Sequence, residues 1–103
     1  MPKFLVTYHG AGAPSPEEAQ QAMAAFMAWA QSVGTALVDP GAPLGPRKTV
    51  SSGSVTDRPA EGPAGGYSIL EAADLDNAVG LVRDHPFVGR GGSLEVSQAV
   101  SPG

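Results

Sequence analysis

The sequence predicts an α+β, ferredoxin-like domain: one antiparallel sheet with two helices on one face, in the order βαβ–hairpin–βαβ. Three observations carry that prediction. Two stretches repeat apolar residues at three- and four-residue intervals, as amphipathic helices do, and each follows an N-capping residue. Four short segments alternate or cluster apolar side chains in the manner of strands. The 14 glycines and 10 prolines gather between these segments instead of running through them. Two βαβ units in a chain of 103 residues suit a split arrangement with both helices on one side, and a single domain over residues 1–103 is expected.

Lys3–His9 reads as the first strand, with Phe4, Val6 and Tyr8 facing one way and Leu5 and Thr7 the other. Ser15-Pro16-Glu17-Glu18 begins a helix. Ser15 is the N-cap, Pro16 takes the first turn, and Glu18 completes a capping box while complementing the helix dipole. The helix is expected to run to Val33 and stop at Gly34, with Ala19, Ala22, Met23, Phe26, Met27, Trp29, Ala30 and Val33 as its buried stripe. Thr35–Asp39 is the second strand, ended by the proline- and glycine-rich stretch Pro40–Pro46, which reads as a shaped loop. A short hairpin pairs Lys48–Ser51 with Ser54–Thr56, and residues 57–65 form another loop. Gly66–Ala72 is the next strand. Asp74 caps a second helix whose apolar face is Leu75, Ala78, Val79 and Val82, and Pro86 stops it. Gly89–Gly92 is a loop, Ser93–Val100 the last strand, and 101–103 a fraying end.

Composition narrows the function. Six basic residues against ten acidic ones leave a net charge of −4, which argues against nucleic acid and anionic membrane surfaces as partners. With no cysteine there is no disulfide, thiolate metal site or cysteine nucleophile, and no metal or other cofactor is expected. The start Met1-Pro2-Lys3-Phe4 lacks the apolar run of a signal peptide and no segment is long enough to span a bilayer, so the expected location is cytoplasmic. Several strands carry apolar residues on both faces. Two helices cover only one face, so a second copy of the sheet is the expected lid and a homodimer the expected state.

Two stretches add a resemblance. Asp84-His85-Pro86-Phe87-Val88, followed by Gly91-Gly92 and Leu94-Glu95-Val96, resembles the ending of the YCII-related proteins. Val55 to Gly62 and Gly65-Gly66-Tyr67-Ser68-Ile69-Leu70-Glu71-Ala72 resemble the corresponding stretch of the DGPF branch of that family. The resemblance implies a dimeric α/β barrel in which two ferredoxin-like sheets enclose a cavity, and an activity on small organic molecules. It also implies a His–Asp pair, with the histidine on the first helix and the aspartate near the following strand. Here the first helix has no histidine, Met23 or a neighbour stands at that place, and Asp39 is the matching acid.

The residues suggest chemistry of their own. His9, at the end of the first strand, is the candidate general base, with Asp39 as the carboxylate that orients it. Tyr8 and Tyr67 are candidate substrate hydrogen-bonders. Arg47 and Lys48 follow the Pro/Gly loop, where they clamp an anionic substrate or simply lie in solvent. His85, just past the second helix, is a candidate substrate contact or a cap. Two functions remain open at this point: cofactor-independent acid–base catalysis on a small organic molecule, or a non-catalytic small-molecule-binding or dimerisation module.

Overall fold

The structure, a computed structural model, describes residues 1–10, 15–57 and 64–102. Its sheet is built from β1 (Lys3–His9), β2 (Leu37–Pro43), β5 (Gly66–Glu71) and β6 (Ser93–Gln98), in the order β2-β5-β1-β6 with every pair antiparallel. That order is the ferredoxin-like one. The helices are α1 (Pro16–Val33), α2 (Leu75–Val82) and the short α3 (Pro86–Gly89). The strands β3 (Thr49–Ser51) and β4 (Ser54–Thr56) form a two-stranded sheet of their own, with Val50 and Val55 in solvent.

Strand alternation decides what is inside. On β1, Phe4, Val6 and Tyr8 point to the helices, opposite Leu70, Ser68 and Gly66 of β5 and near Val96 and Leu94 of β6. Phe4, Val6 and Leu70 are fully buried there with Trp29, Ala72, Ala78 and Val82. The N-cap of α1 forms as expected, Glu18 N–H donating to Ser15 Oγ at 3.2 Å, and Gly34 closes the helix on the Ala30 carbonyl. Trp29 donates its indole N–H to the Leu81 carbonyl at 3.0 Å, which ties α1 to α2.

Three expectations are corrected. The buried stripe of α1 is narrower than predicted: Met23 and Met27 are 60% and 55% exposed and Ala19 is in solvent. A helix sharing one sheet face with two others buries only the side directly against its neighbours, here Ala22, Phe26, Trp29, Ala30 and Val33. The second strand is shifted. Gly34–Ala36 make a 3-10 turn, and the strand then runs through Pro40 and Pro43, which were expected in a loop. It is an edge strand with register shifts between Leu37/Asp39 and Asp39/Ala42, so missing N–H groups and bulges are tolerated. Finally, Pro86 starts a turn of helix as well as stopping one. Most of the predicted loop after Asp57 and the Gly10–Pro14 break lie outside the described residues.

The other sheet face carries Leu5, Thr7 and His9 of β1 with Tyr67 and Ile69 of β5, and no described helix covers it. The molecule is accordingly flat, 45 × 44 × 19 Å in its principal extents.

Candidate functional site

The helix-side face of the sheet ends in a small polar set enclosed by rings. Tyr8 and Ser68 arrive from neighbouring strands, and their hydroxyls lie 2.5 Å apart. Ser68 Oγ donates its only proton to the Pro40 carbonyl at 2.8 Å, so the Tyr8 hydroxyl must be the donor to Ser68. Burial pushes the Tyr8 phenol above its usual range, with the Ser68 hydrogen bond offsetting part of that, so the ring stays neutral.

His85 faces the same set. It is only 4% exposed, with its ring centroid 4.3 Å from that of Trp29, 5.1 Å from Tyr8 and 5.8 Å from Phe26. Its Nδ1 accepts the Phe87 backbone N–H at 3.0 Å, capping α3. An accepting Nδ1 carries no proton, so the neutral ring bears its proton on Nε2. That Nε2 is buried with no hydrogen-bond partner among the described residues. Burial first, and the Arg90 charge second, lower the His85 pKa to about 4. His85 is therefore a neutral donor through Nε2 at neutral pH, and the cap it forms is at the start of α3 and not at the end of α2.

The acid–base pair expected from the sequence does not assemble in one chain. His9 lies on the opposite face of the sheet, its Nε2 2.8 Å from Thr7 Oγ1. Asp39 accepts the Gly41 N–H at 2.8 Å within β2. Strand β5 separates them: Asp39 pairs with Ile69, which pairs with Leu5, four residues along β1 from His9. Strand dimensions put the two residues roughly 16 Å apart. Tyr67 also faces the open side, beside Thr7. Arg47 donates to the Ala64 carbonyl at 2.9 Å, and Lys48 pairs with Asp57 at 2.5 Å in an exposed bridge, so both cations brace the hairpin base. Of the seven candidates, the structure brings together Tyr8 and His85.

Ser68, Phe26, Trp29 and Phe87 complete the set, and sequence reasoning did not place them there. Ser68 carried a usable signal, a hydroxyl at an inward position of an otherwise apolar strand. His85 was already a candidate contact from the sequence, but its burial was not legible, because Asp84-His85-Pro86 looks like a polar turn.

A groove of about 340 Å³ is lined by Glu18, Gln21, Ala22 and Ala25 of α1 with Pro86 and Arg90, and no member of this set lines it. It is contiguous in sequence with the ring cluster: Pro86 follows His85, and Ala22 lies one turn before Phe26. A second groove of about 440 Å³ is apolar and runs between α2, Val88 and β6. No group of His, Asp and Glu able to hold a metal ion occurs among the described residues. No described helix is long and apolar enough to cross a membrane.

No family model matches the sequence, and no curated protein matches it either. Among solved structures, the chain is similar to 5-chloro-2-hydroxyhydroquinone dehydrochlorinase (TftG) from Burkholderia phenoliruptrix AC1100, in complex with 2,5-dihydroxybenzoquinone. The identity is 21%, the match covers 98% of this chain and 95% of that one, and the TM-score is 0.59. The likeness establishes a shared fold with an enzyme of a small organic molecule.

Proposed function

We propose that this protein is a YCII-related homodimer that binds a small planar organic molecule through a carbonyl or phenolate oxygen, held by the Nε2–H of His85. The buried Nε2–H, unpaired among the described residues, carries this reading. A buried donor without a partner costs roughly 1–3 kcal/mol, which an acceptor oxygen on a ligand would relieve. The surrounding rings of Trp29, Tyr8 and Phe26 suit a flat, apolar body, and the adjacent groove is of ligand size. The ligand of the similar structure, 2,5-dihydroxybenzoquinone, is of this chemical class and supports the reading.

The chemistry that follows is polarisation. A neutral imidazole donor next to a carbonyl stabilises negative charge as it develops on that oxygen, in a site where low dielectric strengthens the contact. His85 is not a base, because the only lone pair on its ring is held by the Phe87 N–H. The reading therefore favours ligand binding and polarisation over a His9–Asp39 acid–base pair.

Calorimetric titration with 2,5-dihydroxybenzoquinone tests the proposal. Saturable binding is expected, weakened about tenfold or more in a folded His85→Phe variant, the loss of one well-placed hydrogen bond. Absence of binding, or equal affinity in the variant, rejects the site.

The homodimer rests on the uncovered sheet face. Leu5 is 42% exposed there and Ile69 sits beside it in an antiparallel pair, an apolar patch on a sheet with helices on its other side only. A second copy of the same face is the occupant that continues the fold, because it closes the flat layer into the barrel that the YCII-like motifs imply. Sedimentation should give a dimer at micromolar concentration and a monomer for Ile69→Arg, whose charge has no partner in an apolar seam. A wild-type monomer removes the dimer.

A further inference from the structure

We propose that Arg90 makes the groove between α1 and α3 selective for anionic ligands, so that the molecules bound are phenolates, enolates or carboxylates in preference to their neutral analogues. This deepens the reading given above and rests on it.

The groove has apolar walls from Ala22, Ala25 and Pro86, and three polar side chains: Glu18, Gln21 and Arg90. Arg90 is the positive one, an exposed side chain that lies over a ring. Its backbone N–H donates to the Phe87 carbonyl at 3.3 Å, and its guanidinium carbon lies 5.3 Å from the centre of the Phe87 ring. The Phe87 ring is 5.3 Å from that of Tyr8, which is 5.1 Å from His85. Arg90, Phe87, Tyr8 and His85 are thus linked by successive contacts, Arg90 being the one that lines the groove. A ligand in the groove would meet the Arg90 cation, with His85 directly preceding the lining residue Pro86.

No carboxylate pairs with Arg90 among the described residues, so its donor fork is available to a ligand. Stacking on Phe87 holds the guanidinium plane without using its N–H groups. Glu18 is the opposing charge in the groove, an exposed carboxylate on the first turn of α1. The Arg90 charge reaches the His85 ring and opposes its protonation. An anion seated against His85 would therefore feel the Arg90 charge.

The test compares an anion with its neutral ether. At pH 7.5, 2,5-dihydroxybenzoquinone is ionised, whereas 2,5-dimethoxybenzoquinone has the same ring and carbonyls without the charge. Wild-type protein should bind the anion a few-fold more tightly, as one charge-assisted contact to an exposed arginine provides. Arg90→Gln should lose that preference and leave the affinity for the ether unchanged. Glu18→Gln should strengthen anion binding a few-fold. Raising sodium chloride from 0.05 to 0.5 M should weaken anion binding in wild type and not in Arg90→Gln. Equal affinities for both molecules, with Arg90→Gln indistinguishable from wild type, overturn the role of Arg90 and leave the His85 site standing. Absence of binding by both molecules overturns the site and this inference together.

Discussion

Lowering the pH from 6.5 to 4 will remove up to about 3 kcal/mol of folding stability through His85 alone, which for a chain of this size is a fall of roughly 15 °C in Tm. Folding lowers the His85 pKa to about 4, so across that window the unfolded chain binds the extra proton and the folded one does not. The stability linked to this group is fully present above the unfolded pKa near 6.5, and it is lost as the pH falls toward the folded value. Protonation would also place a hydrogen on Nδ1, where the Phe87 N–H now donates, and so uncap α3. The rings around the imidazolium would return part of the cost through cation–π contact, which makes 3 kcal/mol an upper bound. Urea unfolding between pH 4 and 7.5 measures the effect. Wild type should show the slope and His85→Phe should lack it; parallel profiles would mean that His85 is protonated or solvated in the fold.

The same result bears on function. A histidine that refuses a proton down to pH 4 is a donor throughout the neutral range, so binding of an acceptor oxygen should be insensitive to His85 titration near pH 7. Tyr8 is locked in the same sense. Its proton goes to Ser68, whose own proton goes to the Pro40 carbonyl, and burial disfavours the phenolate. With a ligand bound as proposed, the interior set would stabilise charge on it, and proton removal would fall to groups outside the set.

Much of the fold was legible because period and punctuation agree. The Ser15 and Asp74 caps, the alternation of Phe4, Val6 and Tyr8, and the stop at Gly34 each depend on neighbours within four residues. The site was not, because its members converge from β1, α1, β5 and the turn before α3, and no local pattern records that convergence. His9 and Asp39 looked like partners as two strand ends, but the ferredoxin-like order inserts β5 between β1 and β2. His85 looked exposed because its neighbours are polar, although the turn that follows α2 folds its ring under Trp29. The prolines of β2 misled for a related reason: proline excludes a strand from the middle of a sheet and not from its edge.

That edge is where a single methyl group should do most damage. Gly41→Ala is expected to cost at least about 3 kcal/mol and to loosen β2 from β5, through a steric clash added to backbone strain. Gly41 has φ +76°, and a Cβ placed on it would sit 1.7 Å from the Tyr67 carbonyl oxygen and 3.2 Å from Ser68 Cα. Those are backbone atoms of the paired strand, so no side-chain rotation relieves the overlap; the strand must move. Its neighbours would go with it, since Pro40 accepts from Ser68 and Asp39 accepts from Gly41 itself. Losing the Pro40 contact frees the Ser68 proton and so disturbs the hydroxyl that Tyr8 donates to, which links an edge strand to the interior site. Gly53→Ala is the control. That glycine has φ +79° with nothing within 4 Å of the added Cβ, so it isolates strain from collision and should cost only about 1 kcal/mol. Chemical denaturation of both variants decides the matter, with amide exchange on β2 as the local readout. A Gly41→Ala protein as stable as Gly53→Ala would show that β2 does not approach β5 as closely as the Gly41–Tyr67 contact requires.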